Sequence, residues 1–514
     1  MGSTSSTGWI ESLTAGKHVG PALVFGGREV GAVELARAAR QTLGCLDGLG
    51  VEAGDVLGVL APPSIEGVAL VHALLDRGIV LMPLNARLAE PEQRLALEAS
   101  GARFLVVSTA SEDALARRLA ENAGCGLLRL ETFDDASPIS GVCSPEVSRA
   151  SELFAHRERR LAESAALVVR TSGTSGQPKG AVLGLDNLKA SADASAALLT
   201  SRSSDRWLLC MPLFHIGGLS ILFRSARGGE TVLLQDRFDP IAVSRSLEEE
   251  GVTHVSLVAT MLERLLEARG VRRAPTSLRC VLLGGGPASA SLIARAEALG
   301  YPIAPTYGLT EAASQVATWP PHRGMSSRSS ELEALPGLEL RIVDDRGRVL
   351  GPDQEGEIQL RGPTVMRGYL DDPVATLDAL RDGWLSTGDV GRLDRAGRLG
   401  VLDRRADLIV SGGENIYPAE IERVLGEHPD IAEAGACGVS DERFGARPTA
   451  RVVMRPGRPF DRQELLAFCR TRLAAYKCPV DLAPVASLPR NATGKLMRRR
   501  LLDPQKDGEV SAPR

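Results

Sequence analysis

From Ala22 to about Leu402 the chain alternates two rhythms, short β-branched or aliphatic runs and longer stretches whose apolar positions recur every three or four residues. Val56 to Leu60, Phe104 to Val107, Ala166 to Arg170, Thr231 to Leu234, His254 to Leu257 and Arg279 to Leu283 read as strands. Val33 to Leu43, Ile241 to Glu250 and Ser291 to Leu299 read as helices. Strands alternating with helices predict a layered α/β body with mixed sheets and helices. The longest apolar stretches, Val68 to Leu75 and Gly78 to Leu84, are interrupted by Asp76 and Arg77. They fall well short of the roughly 20 residues needed to cross a bilayer and read as core elements, so no integral membrane association is expected. Ser137 to Ser148, rich in Ser, Pro and Gly, reads as a surface connection.

After Asp403 the pattern restarts, with a strand at Leu408 to Ser411 and a helix at Pro418 to Glu427. An apolar run at Ile431 to Val439, a strand at Thr449 to Met454 and a helix at Asp461 to Ala474 follow. About a hundred residues of this kind suffice for a small separate α+β domain. The expected division is residues 1–403 and 404–514, with the boundary near Arg404 to Asp407. The polar tail beyond Asp503 is expected to fray.

Composition narrows the function. With 514 residues, 44% hydrophobic and 24% charged, the chain is a soluble globular protein large enough for several cores. A formal net charge of -4 argues against a globally basic nucleic-acid binder. The polar Met1 to Gly8 segment lacks the basic-then-apolar order of a secretory signal, which favours a cytoplasmic location. The cysteines, at 45, 125, 143, 210, 280, 437, 469 and 478, show no metal-ligand spacing and read as reduced thiols. A homo-oligomer is compatible with this composition. Arginine carries nearly all the positive charge, and lysine occurs only at Lys17, Lys179, Lys189, Lys477, Lys495 and Lys506. A lysine that persists against such drift marks places where a compact ammonium matters.

Two of those lysines lie in conspicuous motifs. Thr171, Ser172, Gly173, Thr174, Ser175, Gly176, Gln177, Pro178, Lys179 and Gly180 follow an apolar strand. Glycines let the backbone approach a phosphate, hydroxyls and N–H groups donate to its oxygens, and the Lys179 ammonium offsets its charge. It is not a Walker loop, because Pro178 precedes the lysine and Gly180 follows it. Taken alone, such a segment is also what a Gly/Ser surface turn looks like.

The segment resembles the signature of the superfamily of acyl-CoA synthetases, adenylation domains and beetle luciferases. Four more stretches of that superfamily follow in order: Tyr307-Gly-Leu-Thr-Glu311, Ser386-Thr-Gly-Asp389, Asp403-Arg404 before Gly412-Gly-Glu414, and Pro489-Arg-Asn-Ala-Thr-Gly-Lys495. The resemblance covers nearly the whole chain. It implies ATP and Mg²⁺, with coenzyme A as co-substrate and a small carboxylic acid as the partner that is activated. It also implies a C-terminal domain that turns between two half-reactions.

Position by position, the resemblance puts Tyr307 beside adenine with Gly284, Gly285 and Gly286, and Thr310 at the α-phosphate. Glu311 would hold Mg²⁺, which prefers hard oxygen ligands. Asp389 and Arg404 would bracket the ribose hydroxyls. Lys495 would stabilise charge as pyrophosphate leaves, and Gly412 and Gly413 would line the pantetheine channel. His215, in Pro212-Leu-Phe-His-Ile-Gly-Gly-Leu219, matches a gate between acyl group and phosphate. Thr260 and Thr306 are implied on the acyl side. Ala406 falls at the expected hinge, where many relatives carry Asp or Lys. Ser329-Ser-Glu-Leu332 departs from the family's Gly-Ser-x-Gly and predicts an altered surface loop. Arg498 to Arg500 read as a solvated basic helix face.

Met211 to Leu222 with Arg224, Ser277 to Pro287, Pro305 to Gly308 and Leu402 to Pro418 resemble the o-succinylbenzoate-CoA ligases. Their substrate keeps a second carboxylate. On a helix starting near Gly217, Gly217, Ser220 and Arg224 share a face, so Arg224 is a candidate reader of that carboxylate; a surface or internally paired arginine is the alternative. A fatty-acyl- or aryl-CoA ligase, or a carrier-loading adenylation module, also remains open at this point.

Overall fold

The computed structural model describes residues 8–86, 88, 90–108, 113–130, 143–145, 165–171, 179–286, 288–321, 331–404, 409–411, 414–416, 418–441, 444–473, 475–491, 494 and 496–503. Two large sheets organise the first four hundred. In one, the order is Glu333–Ala334, Ser314–Thr318, Ile303–Leu309, Cys280–Leu283, His254–Leu257, Arg206–Leu209, Thr231–Leu234, Leu23–Phe25 and Arg28–Val30. The other runs Gly368–Tyr369, Lys179–Gly184, Ala165–Thr171, Val80–Pro83, Val56–Leu60, Phe104–Ser108, Gly126–Leu130 and Cys143–Pro145. Their central strands are parallel, the arrangement expected when both faces are covered.

Side-chain alternation explains the layering. Along Arg206–Leu209, Trp207 and Leu209 join one core cluster while Leu208 joins another. In the second sheet Phe104 and Val106 face the shared cluster, and Leu105 and Val107 the outer one. The shared cluster holds the helices Trp9–Thr14, Ala32–Gly48, Ile65–Arg77 and Ile216–Gly228 between the sheets. The outer faces are covered by Pro240–Glu249, Ala259–Arg269 and Ala290–Ala298 on one side and by Glu90–Ser100 and Asp113–Ala123 on the other. Ile65–Arg77 is buried from Ile65 to Leu75 because it lies in the middle layer, which is why its sequence shows no polar face.

A third sheet, Glu339–Val343, Gly356–Arg361, Trp384–Leu393 and Leu380–Arg381, with Leu399–Arg404 on Trp384–Leu393, leads towards the C-terminus. There Ile431–Asp441 and Gly445–Met454 form a long antiparallel pair joined by Ile409–Ser411, Glu414–Ile416 and Asp481–Pro484. The helices Pro418–Gly426 and Arg462–Arg470 close a core of Ile421, Leu425, Ala450, Val452 and Leu465. The expected α/β body and α+β unit are thus both present.

Some details differ from expectation. Cys143–Pro145, inside the expected surface connection, is an edge strand on Gly126–Leu130; three residues are too few to show alternation. The last helix stops at Arg470 rather than Ala474. Arg498–Arg500 is a 3₁₀ turn rather than a helix face, and Arg498 is buried with its Nε and Nη2 on the Glu422 carboxylate at 2.9 and 2.8 Å. Only Arg499 and Arg500 are exposed. A carboxylate 76 residues away captured the first arginine, a pairing that charge patterning along the chain does not reveal. Ala406 and the boundary segment 405–408 lie outside the described residues.

Candidate active site

The carboxyl ends of the parallel strands in the first sheet collect several of the residues marked in the sequence. His215 lies beyond Arg206–Leu209, Thr260 beyond His254–Leu257, and Gly284, Gly285 and Gly286 directly after Cys280–Leu283. Thr306 and Tyr307 belong to the neighbouring strand Ile303–Leu309. Loops at this edge of an open α/β sheet form its cleft. The second sheet contributes the hairpin Ala165–Thr171 and Lys179–Gly184, in which Thr171 pairs with Lys179. Asp389 arrives from the third sheet.

Close packing fixes the hairpin that carries Tyr307. Thr310–Ala312 is a 3₁₀ turn, followed by Ala313 and Ser314 at φ 54° and 106°. Positive φ at two consecutive non-glycine residues costs energy and persists only where surroundings impose it. Here Ser191 Oγ donates to the Ala313 carbonyl at 2.6 Å. Gly308 sits so near the Ser314 carbonyl that a Cβ would lie 2.0 Å from its oxygen. At Gly284 a Cβ would lie 2.7 Å from Thr306 Cγ2. Both glycines are therefore dictated by the approach of another strand.

Tyr307 donates from its hydroxyl to Asp389 Oδ2 at 2.7 Å. Two residues expected at adenine and ribose are thus neighbours in space, and the register sets Arg404 opposite Asp389; the Arg404 side chain lies outside the described residues. Further along the same hairpin, Glu311 Oε1 accepts from the Tyr369 hydroxyl at 3.0 Å. The Lys179 ammonium stands 5.1 Å from the centre of the Tyr369 ring. Burial, then the adjacent Glu311 carboxylate, push the Tyr369 phenol well above its ordinary value. Tyr369 was not singled out in the sequence; its only signal was being one of five tyrosines, within an Arg-Gly-Tyr run.

The donor set fits Mg²⁺ shared with a nucleotide. Among the described residues no group of three or more His, Cys, Asp or Glu side chains could cage a metal. Mg²⁺ is ordinarily held by one or two carboxylates together with substrate phosphates. Glu311 beside Thr310 is of the type to serve as that single hard ligand, since a carboxylate accepting one hydrogen bond retains further lone pairs.

The opposite wall is the helix Ile216–Gly228, with His215 at its N-cap and the Phe214 ring 4.5 Å from the imidazole. Gly217 and Ser220 occupy its first turns, and Ser220 Oγ is 3.3 Å from Ser314 Oγ. Arg224 takes the internally paired arrangement. It is only 2% exposed, its guanidinium lies 4.3 Å above Trp207, and it donates to Gln315 Oε1 at 2.8 Å and to Ser195 and Ser220 Oγ at 3.2 Å. Burial lowers its pKa to about 10, leaving it charged at neutral pH. Ser220 and Arg224 share one helix face, with the guanidinium buried among Ser195, Trp207, Ser220 and Gln315. The network continues from Gln315 Nε2 to Thr318 Oγ1 at 2.8 Å and on to Thr306 Oγ1 at 2.6 Å. Ser195, Trp207 and Gln315 went unnoticed in the sequence because each lies in an unremarkable apolar or polar stretch.

Thr260, at the start of Ala259–Arg269, faces the loop of the last motif: a Cβ on Gly494 would lie 3.0 Å from Thr260 Oγ1. That loop is shaped by Arg490, whose Nη1 donates to the Gly494 carbonyl at 2.7 Å and whose Nη2 donates to Glu433 at 2.6 Å. Ser172, Gly173, Thr174, Ser175, Gly176, Gly412, Gly413 and Lys495 lie outside the described residues, as does the Thr171 side chain.

Residues 14–370 match the family model described as AMP-binding enzyme, and residues 420–495 match AMP-binding enzyme C-terminal domain. The 2-succinylbenzoate–CoA ligase of Bacillus licheniformis is 40% identical over 480 residues, 93% of this chain and 96% of the relative. The o-succinylbenzoate CoA synthetase of Bacillus subtilis, solved with the acyl-adenylate intermediate OSB-AMP, superposes with a TM-score of 0.83 at 36% identity, over 97% of this chain and 98% of that one. A double mutant of that Bacillus subtilis enzyme, bound with its product analogue OSB-NCoA, covers the same shares at 37% identity with a TM-score of 0.67.

Proposed function

The chain belongs to the AMP-binding enzyme family, and from that premise we propose an ATP-dependent 2-succinylbenzoate–CoA ligase of menaquinone biosynthesis, working through an acyl-adenylate. The observation that carries the reading is one hairpin, Ile303–Leu309 to Ser314–Thr318, that ties Tyr307 to Asp389 at one point and Glu311 to Tyr369 and Lys179 at another. This gives a nucleoside-sized grip and a phosphate-sized charge cluster in sequence along a single element.

In the first half-reaction an oxygen of the succinyl carboxylate attacks the α-phosphorus of ATP. The bond from phosphorus to the bridging oxygen breaks and pyrophosphate leaves. Tyr307 and Gly284 to Gly286 hold adenine, Asp389 and Arg404 the ribose, Thr310 the α-phosphate, and Lys179 with the Thr171 to Gly176 segment the polyphosphate. Glu311 would hold Mg²⁺, which when bound offsets phosphate charge. Lys495 stabilises the charge that builds on the five-coordinate phosphorus, an interaction stronger in the transition state than before it. In the second half-reaction the CoA sulfur attacks the acyl carbon, the thiol proton is lost and AMP departs. Gly412 and Gly413 line the pantetheine path, and His215 separates acyl group from phosphate.

Arg224 acts on the acyl group indirectly. It holds the Ser220 hydroxyl and brings a positive charge behind the wall, where low dielectric leaves its field strong enough to favour an anionic acyl tail. The test is CoA- and ATP-dependent AMP formation with 2-succinylbenzoate, benzoate, and medium- and long-chain fatty acids, with products identified by mass. Preference for the diacid, with its CoA thioester as product, is expected. Preference for a monoacid would keep the ligase and overturn the substrate; adenylation without transfer to free CoA would point to a carrier-loading module.

A further inference from the structure

Tyr369 is fastened from several directions before its side chain is considered. Its strand pairs with Lys179–Gly184, with Tyr369 opposite Ala181. Arg367 N donates to the Val182 carbonyl at 2.8 Å and Leu370 N to the Gly180 carbonyl at 2.7 Å. Met366 N donates to the Glu311 carbonyl at 2.8 Å, and Tyr369 N to Thr376 Oγ1 at 2.8 Å. Residues 366–370 therefore stitch the strand bearing Lys179 to the turn bearing Glu311. The side chain repeats the link, with its hydroxyl on the Glu311 carboxylate and its ring under the Lys179 ammonium.

We propose that Tyr369 is a positioning residue that sets the carboxylate of Glu311 and the ammonium of Lys179 as one rigid pair for a magnesium-bound nucleoside triphosphate. This rests on the reading of those two residues as facing metal and phosphate. The polarity of tyrosine suits the task. Its O–H presents a positive hydrogen to the carboxylate, and its ring face presents negative charge to the ammonium. A phenylalanine would retain the ring beneath Lys179 and lose the hold on Glu311; a leucine would lose both.

The test compares calorimetric binding of MgATP and of AMP by the full-length protein, so that no acid substrate enters. Tyr369→Phe is expected to weaken MgATP about tenfold, the effect of losing a hydrogen bond to a charged group. AMP, which needs neither metal nor polyphosphate contacts, should change less than about twofold, with an unchanged melting temperature. Tyr369→Leu should weaken MgATP further and leave AMP affinity close to that of wild type. Equal loss of both nucleotides, or a melting temperature that falls in step with affinity, would make Tyr369 merely structural. Unchanged MgATP binding in both variants would also overturn the proposal. The underlying reading fails separately: wild-type protein that does not bind MgATP, or Glu311→Gln with unaltered Mg²⁺ dependence, would remove the site assignment itself.

Discussion

Glu230 lies fully inside the protein close to Arg224, and burial pushes its carboxyl up to about 7, an effect that the Arg224 charge partly opposes. Two neighbours of the same region remain neutral: burial lowers His254 to about 4 and raises the Cys280 thiol to about 12. The sign of the consequence follows from proton counting. Between pH 4.5, the usual carboxyl value, and about 7, the folded chain keeps a proton on Glu230 that the unfolded chain has released. Stability should therefore fall across that window and level off above it. Glu230→Gln removes the ionisation, so its stability relative to wild type should rise from pH 5 to pH 8, by up to about 3 kcal/mol. Chemical denaturation of both proteins at the two pH values reads this directly, and a difference independent of pH would show that Glu230 titrates normally. Arg224 illustrates the complementary point. Its spacing from Ser220 was legible as a helical face, but whether a guanidinium enters a cleft or a core depends on Trp207, Gln315 and Ser195, which arrive from other elements.

At the scale of elements, the turn Arg498–Arg500 is joined to the helix Pro418–Gly426 by the two-pronged contact of Arg498 with Glu422. Glu422 Oε1 also accepts from Ala436 N at 2.9 Å, which brings in the strand Ile431–Asp441. One carboxylate thus gathers three elements of the small C-terminal unit. Removing one member of a buried ion pair strands the other. Arg498→Met is expected to destabilise this unit by about 3 kcal/mol, with Arg498→Lys intermediate because an ammonium cannot reproduce a forked contact. Denaturant unfolding followed by a probe on residues 409–503 would detect it, whereas loss below about 0.5 kcal/mol would place Arg498 with ordinary surface arginines. The strands and helices themselves were readable, since period-two and period-3.6 patterns reflect the same burial that forms them. The 3₁₀ turn at Thr310–Ala312 and the edge strand Cys143–Pro145 were not, because a few residues contain no full period.

For the whole molecule, the informative contact joins two regions far apart in sequence, the Gly494 loop and Thr260 on the first large sheet's outer helix. It brings the Gly494 loop of the last motif against the start of the helix Ala259–Arg269. A lysine needed only while this contact exists should matter for one half-reaction. Lys495→Ala is expected to reduce adenylation at least a hundredfold, on the scale of losing one transition-state charge contact. Transfer to CoA from a supplied acyl-adenylate should stay within a few-fold of wild type. Equal loss in both assays would sink the division of labour between them.

The sequence by itself determined the layered α/β body and the small α+β unit that follows it, because short-range periodicity encodes local geometry. The donor types in Thr171 to Gly180 and Tyr307 to Glu311 are likewise contained within ten residues or fewer. Tertiary structure alone decided which side chains hold those motifs in place. Tyr369 reaches Glu311 across 58 positions, Tyr307 reaches Asp389 across 82, and Arg224 reaches Gln315 across 91. Such pairings are set by which layers pack together, and the energy that selects them is the burial of whole faces, which no local stretch of residues records.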